Sequence, residues 1–357
     1  MTSRRVAVTG LGLVTPVGNT VQETWTAMVA GRSGAAGITR FDPARHAVKF
    51  ACEVKAFDAA RFMEKKEIRR YDLFAQFSIG AAEEATVDAC LATHWSDVDR
   101  TRVGVLIGTG TGGVSTFEEN CRALFEKGPD RVSPFFVPMY MSNAAAALIS
   151  MRYGLQGPNY ATTSACASSA HAVADAVMLI RNGQADVIIA GGAEAAITPL
   201  AVASFANMKA LSQRNDDPAT ASRPFDKDRD GFVMGDGAAV LVLEEWEHAQ
   251  RRGAKIYAEL AGFGMTADAH HITAPAPDGS GAQQAMRLAM KDADVRPDQV
   301  GYINAHGTST PYGDAAETAA VKTVFGEQAR RLVFGSTKSM TGHLLGAAGA
   351  LEAAVCA

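Results

Sequence analysis

Short β-branched or apolar runs at residues 103–107, 187–190, 240–243, 256–261, 300–304 and 332–334, most of them leading straight into glycine, alternate with alanine-rich stretches of helical length such as 167–182 and 280–293. That alternation is the pattern of an α/β fold, and strands apolar along their whole length belong to a sheet covered on both faces. The chain enters its first strand almost at once, in Arg4-Arg5-Val6-Ala7-Val8-Thr9-Gly10. Its 357 residues can bury a large core and suggest two domains or one fused pair. An internal echo points to the second option. Val103-Gly104-Val105-Leu106-Ile107-Gly108-Thr109-Gly110-Thr111 matches Val300-Gly301-Tyr302-Ile303-Asn304-Ala305-His306-Gly307-Thr308 at valine, glycine, aliphatic and threonine positions with one constant offset. This reads as two related halves, residues 1–255 and 256–357, whose reactive groups meet where the halves join.

Composition excludes several classes. Lys and Arg number 34 against 38 Asp and Glu, and a net charge of -4 leaves no electrostatic footprint for nucleic acid. Five cysteines, at 52, 90, 121, 166 and 356, are odd in number and lack a CxxC spacing, so neither a disulfide framework nor a zinc ribbon is indicated. No apolar segment precedes the first strand, and no run approaches the roughly 18 residues of a membrane span. A soluble protein of the reducing cytoplasm is expected.

Chemistry concentrates at three places. Cys166 lies between the small-residue turn Thr162-Thr163-Ser164-Ala165 and a helix, where free backbone N–H groups and the helix dipole are expected to bring a thiol from about 8.5 into roughly the 3.5–7.5 range. Small neighbours, Ala165, Ala167, Ser168 and Ser169, leave room for a bulky thioester. His306, in Asn304-Ala305-His306-Gly307-Thr308-Ser309-Thr310, and His343, in Lys338-Ser339-Met340-Thr341-Gly342-His343, each follow a strand and precede a helix. One thiol with two distant imidazoles suits acyl transfer on thioesters. The competing readings are an inert buried thiol, expected of the other four cysteines, and metal ligation, although the histidine spacing fits no zinc pattern and His270-His271 sits in an ordinary loop.

The string Gly108-Thr109-Gly110-Thr111-Gly112-Gly113 satisfies the GxGxxG pattern of a dinucleotide site, yet the acidic residue due about 20 positions later is replaced by Gly128-Pro129-Asp130-Arg131. Close backbone packing is the better expectation, and an NAD(P)-dependent oxidoreductase remains a distant alternative. The basic run Lys65-Lys66-Glu67-Ile68-Arg69-Arg70 is either a solvated helix face or a dock for an acidic carrier.

Taken together, the cysteine motif, residues 304–310 and residues 338–343 resemble the β-ketoacyl-acyl-carrier-protein synthases, specifically the elongating type II condensing enzyme of the thiolase superfamily. The likeness also runs through Val6-Ala7-Val8-Thr9-Gly10-Leu11-Gly12, Ser222-Arg223-Pro224-Phe225-Asp226 and Asp230-Gly231-Phe232-Val233-Met234-Gly235-Asp236-Gly237-Ala238. The resemblance implies a thiolase-like, duplicated five-layer αβαβα fold, a homodimer, and no resident cofactor, since the phosphopantetheine arm arrives on acyl carrier protein. It implies a decarboxylative Claisen condensation of malonyl-carrier protein with an acyl group on Cys166, in which His306 and His343 stabilise the thioester oxygen. Lys338 would tune the site with Glu352 beside it, Asp314 would support it, and Thr308 and Thr310 would contact the pantetheine. Phe205 and, from a partner subunit, Phe136 would line the acyl tunnel, while Lys65, Lys66, Arg69, Arg70 and Lys209 would meet the carrier protein. Two departures stand out. Thr111 occupies a tunnel position where the family commonly has a bulkier aliphatic residue. The family also continues with further strands and a Gly-Phe-Gly-Gly loop, so the second half is expected to be truncated, ending inside an apolar helix. A polyketide-type ketosynthase and a non-catalytic carrier-binding partner subunit share these motifs and are the alternatives.

Overall fold

Among the described residues ten strands form three sheets: β1 (Val6–Val14), β2 (Ala36–Gly37), β3 (Phe50–Ala51), β4 (Val103–Gly108), β5 (Asn159–Tyr160), β6 (Val187–Glu194), β7 (Gly237–Glu245), β8 (Ala258–Glu259), β9 (Tyr302–Asn304) and β10 (Val333–Gly335). The structure, a computed structural model, describes residues 4–92, 95 and 98–357. The main sheet has the order β5-β4-β6-β7-β1-β8, while β9 pairs with β10 and β2 with β3. Each of the six runs read from sequence contains a strand, but the sheet is mixed. β4 lies parallel to β5 and β6, whereas β7 runs antiparallel to β6 and β1, and β1 antiparallel to β8. The antiparallel part arises because β7 follows the long excursion after β6, residues 195–236, instead of a single crossover helix.

The apolar strands are covered on both faces, as their composition requires. On one face Val103, Val105, Ile107, Ile189 and Val242 pack against Phe74, Phe77, Ala81 and Ala85 of the Leu73–Asp88 helix and Ile149 of the Ala144–Tyr153 helix. This helix lies directly on β1: a Cβ on Gly10 would stand 2.2 Å from the Ala85 carbonyl oxygen, and one on Gly12 1.9 Å from that of Ala81. Only glycine admits that approach. A bulge between Val8 and Gly10 interrupts the β1–β7 ladder, and helix carboxylates take up N–H groups of the strand, Leu11 donating to Asp88 (3.0 Å) and Leu13 to Glu84 (2.9 Å).

On the other face Leu106, Ile188, Leu241 and Leu243 meet Ala172, Val173, Ala176, Val177 and Ile180 of the Ser168–Arg181 helix. Ala350, Leu351 and Ala354 of the Ala348–Cys356 helix join the same core. The two helices touch where a Cβ on Gly349 would stand 2.8 Å from that of Ala170. The apolar last helix, read from sequence as lacking a cap, is therefore packed against the main sheet. β9 and β10 pair in parallel, and the helices Ser280–Asp292 and Pro311–Phe325 pack against each other. Among the described residues no helix is long and apolar enough to cross a membrane.

Candidate active site

The nucleophile candidate sits where β4 ends and the covering helix begins. A Cβ on Gly108 would stand 2.4 Å from the Ser168 carbonyl carbon, so the helix start rests on the strand end. Just before Cys166, Ala165 adopts φ 51, a left-handed conformation costing a non-glycine residue about 1–3 kcal/mol. Side-chain bonds hold the turn there. The Ser164 N–H donates to Ser168 Oγ (2.9 Å), that hydroxyl donates to the Ala165 carbonyl (2.7 Å), and the Thr162 hydroxyl donates to the Ser168 carbonyl (2.6 Å).

The expected thiolate-stabilising helix end is corrected by these details. The helix starts at Ser168, two positions after Cys166, and the N–H groups of Ala167 and Ser168 are spent on the carbonyls of Ser164 and Ala165. With them consumed, burial prevails: it pushes the Cys166 thiol above its ordinary pKa, opposed in part by the Lys338 ammonium.

His343 is tied to the first half through its backbone, its N–H donating to the Val233 carbonyl (2.7 Å) and its carbonyl accepting from Gly235 (2.8 Å). The Leu345 N–H donates to its Nδ1 (3.2 Å). A neutral imidazole that accepts at Nδ1 carries its proton on Nε2, and this atom lies 3.0 Å from Cys166 Sγ. His306 is set from below. Its N–H and that of Gly307 each donate to the Glu317 carboxylate at 2.7 Å, and Lys338 Nζ donates to its carbonyl at 2.7 Å. The two imidazoles stand 5.2 Å apart between ring centres at 85°, and ligand-type atoms of Cys166, His306 and His343 all lie within 4.8 Å of one another.

Both imidazoles are held neutral. Burial, and then the Lys338 charge, push His306 down to about 3 and His343 well below its ordinary value. The exposed edge of His306 admits water, which works against its shift. Three ligand-type atoms so close could suggest a metal. A ligating histidine, however, needs a free lone pair on the coordinating nitrogen while the other nitrogen donates to an acceptor. His343 has the reverse arrangement and offers a donor toward the sulfur.

Lys338 is buried and ion-paired with Glu352, as the resemblance implied, and burial pushes the Glu352 carboxyl up while Lys338 pulls it down. Replacing Lys338 with alanine leaves that carboxylate without its partner. The expected result is a loss of about 3–5 kcal/mol, read as a lower urea midpoint at unchanged slope. A loss below about 1 kcal/mol would mean that the pair behaves like a solvated one.

Other expected residues fall at varied distances from this centre. The Thr308 and Thr310 hydroxyls bond each other at 2.9 Å on the loop after His306. Asp314 is buried beneath that loop, accepting from the N–H groups of Ser309 (3.1 Å) and Phe225 (2.7 Å). Phe205 stacks edge-on to Phe232, which stacks edge-on to His343, both at 5.4 Å, so an aromatic file leads away from the site. Phe136 lies with Tyr140 in a separate cluster on the Phe136–Tyr140 helix. Thr111 turns its hydroxyl to the buried Glu194 carboxylate (2.5 Å). Lys65, Lys66, Arg69, Arg70 and Lys209 are all exposed, and Arg70 lies over the Phe135 ring.

The glycine string does not form a phosphate cradle. Glu194 accepts from the N–H groups of Gly110 and Thr111, and Thr109 Oγ1 accepts from that of Gly112, so the donors that would face a phosphate are already satisfied. Sequence reasoning missed Glu317 and Glu194. A carboxylate 11 residues beyond His306 carries no motif signal; its spacing acquires meaning only once a loop and one helical turn bring it under the His306–Gly307 backbone.

Comparison with known proteins gives concordant matches. The family model for the beta-ketoacyl synthase N-terminal domain matches residues 3–249, and that for the beta-ketoacyl synthase C-terminal domain matches residues 257–357. Both domain models are thus matched, the C-terminal one as far as the packed last helix. The 3-oxoacyl-[acyl-carrier-protein] synthase 2 of Synechocystis is 52% identical over 350 residues, covering 98% of this chain and 84% of that protein. Its namesake in Vibrio cholerae is 52% identical over 356 residues, covering 99% and 86%. Among solved structures, a beta-ketoacyl synthase from Burkholderia phymatum superposes with a TM-score of 0.91 at 37% identity, covering 99% of this chain and 85% of that one. A type II PKS acyl-carrier protein in complex with its ketosynthase bound to the hexaketide gives 0.90 at 36% identity, covering 99% and 86%.

Proposed function

We propose, since the chain belongs to the β-ketoacyl synthase family and has its thiolase-like ketosynthase fold, that Cys166, His306 and His343 divide the chemistry of that family between them. The enzyme is an acyltransferase of the 3-oxoacyl-[acyl-carrier-protein] synthase type, performing the condensation that elongates a fatty acid. The observation that carries the assignment of roles is the His343 Nε2–H directed at Cys166 Sγ from 3.0 Å, with His306 beside it.

In the first step the Cys166 sulfur attacks the acyl thioester carbon, the bond to the carrier's pantetheine sulfur breaks, and that sulfur leaves with a proton. His343 keeps its own proton and stabilises the anionic sulfur by donating to it. In the second step malonyl-carrier protein enters and carbon dioxide departs. The electron pair of the broken C–C bond moves into an enolate, whose oxygen accepts hydrogen bonds from the two imidazoles. Donors aimed at developing charge are each worth about 2.7–4 kcal/mol. Neutral imidazoles suit this better than charged ones, because an imidazolium beside a carbanion would protonate it. Burial, and after it the field of Lys338, disfavours the charged form. The carbanion then attacks the acyl carbonyl, the C–S bond to Cys166 breaks, and the 3-oxoacyl chain leaves on the carrier. No resident cofactor takes part, the phosphopantetheine arm being brought by the carrier.

Thr308 and Thr310 would steady that arm, with Asp314 supporting their loop. Phe205 and Thr111 would border the acyl chain, together with Phe136 of a partner subunit. The exposed cations Lys65, Lys66, Arg69, Arg70 and Lys209 suit an acidic carrier, for which charged rims mainly set the rate of encounter. Phe117, Val137 and Tyr140 are exposed near Phe136, an apolar patch suited to a second copy of the chain. A five-layer duplicated arrangement, with halves 1–255 and 256–357, would make β9–β10 the second sheet behind the paired inner helices Ser168–Arg181 and Ala348–Cys356, which cover one face of the main sheet.

Incubation with acyl-carrier protein should add one acyl mass, on the peptide carrying Cys166. The pKa direction sets the pH dependence: with the thiol raised, the reactive thiolate fraction grows as pH climbs through 8 and beyond. The acylation rate is therefore expected to rise over that range. A rate already flat from pH 6 upward would point to a preformed thiolate and overturn this account of the nucleophile.

A further inference from the structure

We infer that Glu194 is a positioning residue that fixes the Nε2–H tautomer of His343, by tying the turn after that histidine to the end of β4. Its side chain is fully buried and receives donors from two separate parts of the chain. From the β4 end come the N–H of Gly110 (2.7 Å), the N–H of Thr111 (3.1 Å) and the hydroxyls of Thr111 (2.5 Å) and Thr109 (3.1 Å). From beyond His343 comes the N–H of Gly346 (2.9 Å). Three of these are backbone groups that can only donate, so an anion is the species they fit. Burial pushes the carboxyl up, and these hydrogen bonds pull it down.

The glycines leave no slack around it. A Cβ on Gly346 would stand 2.3 Å from the Gly110 nitrogen, and one on Gly192 2.9 Å from the Gly346 carbonyl oxygen. The neighbouring Leu345 holds φ 46, a strained value that persists only where the surroundings impose it. Its N–H is the group that donates to His343 Nδ1. The line of cause runs from the carboxylate to Gly346, to the strained Leu345, to Nδ1, and so to the proton on Nε2. Without the anchor, the turn can relax, the Leu345 N–H can leave Nδ1, and the imidazole can carry its proton on either nitrogen. Glu194 touches neither substrate nor sulfur in this scheme; it acts through His343.

The inference rests on the reading of His343 as an Nε2–H donor, and its test separates the two. Two-bond nitrogen–proton spectra of protein labelled at the histidine nitrogens report the tautomer directly, with the His343 signal identified by its loss in His343→Asn. Wild type should show Nε2–H. Glu194→Gln keeps the volume, but in either orientation its amide turns a donor toward a fixed backbone N–H, of Gly110 and Gly346 on one side or of Thr111 on the other. The Nε2–H signature should be lost, and kcat for malonyl-carrier decarboxylation should fall on the order of 10²-fold with KM little changed. If that variant folds poorly, Glu194→Asp, which keeps the charge and withdraws it by one methylene, is read by the same two measurements. A folded variant with the signature and kcat intact overturns the inference, as does a wild-type His343 protonated on Nδ1. A lost signature, alongside a His343→Asn enzyme that decarboxylates at full rate, upholds the hold of Glu194 and sinks the catalytic reading of His343.

Discussion

Cys166→Ala is expected to lower condensation by roughly 10⁶-fold, the scale on which removing a nucleophile disables a catalytic group acting as a unit. No other thiol can take its place. Cys52 is buried and its thiol is pushed up to about 12 by that burial, and neither it nor Cys90, Cys121 or Cys356 belongs to the histidine cluster. The variant should nonetheless retain malonyl decarboxylation, because the two imidazoles keep their settings: His306 is held by Glu317 and Lys338, and His343 by Val233, Gly235 and Leu345. The check is paired, with acyl mass on the protein and carbon dioxide release measured on one preparation. An acyl adduct surviving on another residue, or condensation within about 10³-fold of wild type, would remove Cys166 from its role.

His306→Ala and His343→Ala should each slow decarboxylation by about 10²–10³-fold, the usual cost of one lost donor to a developing oxyanion. Their effects on the first half-reaction should differ. His343 stands 3.0 Å from the sulfur, so its loss should also slow acylation of Cys166, whereas the His306 variant should acylate nearly normally. The double variant should lose less than the product of the single losses, because both donors serve one oxygen. Single-turnover acylation and decarboxylation assays separate the steps. If His306→Ala decarboxylates at the wild-type rate, the shared-oxygen scheme fails.

The runs that form β4, β6 and β7 were legible as strands because their burial on both faces leaves no alternation to confuse the pattern, and the Ser168–Arg181 and Ser280–Asp292 helices fall within one or two residues of the alanine-rich stretches. Strand direction was not legible. Nothing local to β7 distinguishes an antiparallel partner from a parallel one; that depends on the path of residues 195–236. The cysteine and histidines could be read because reactive side chains at strand-to-helix turns are rare in combination. Their protonation could not. The turn before Cys166 consumes the N–H groups that a helix start would otherwise offer to sulfur, and the tautomer of His343 depends on a backbone donor two residues away in a strained turn. The anchoring carboxylates Glu194 and Glu317 are silent in sequence for a similar reason: their partners are main-chain groups, which every residue possesses.

The contact of Gly349 with Ala170 also bears on how the molecule comes apart. Leu351 and Ala354, near the far end of the chain, complete the same apolar layer as Val6 and Val8 near its beginning. Severing the polypeptide between the two matched segments would strip that layer from one fragment and strand an oily helix on the other. Neither piece would be a freestanding unit, and the shared layer is expected to make the sulfur and the imidazoles lose one another together on melting.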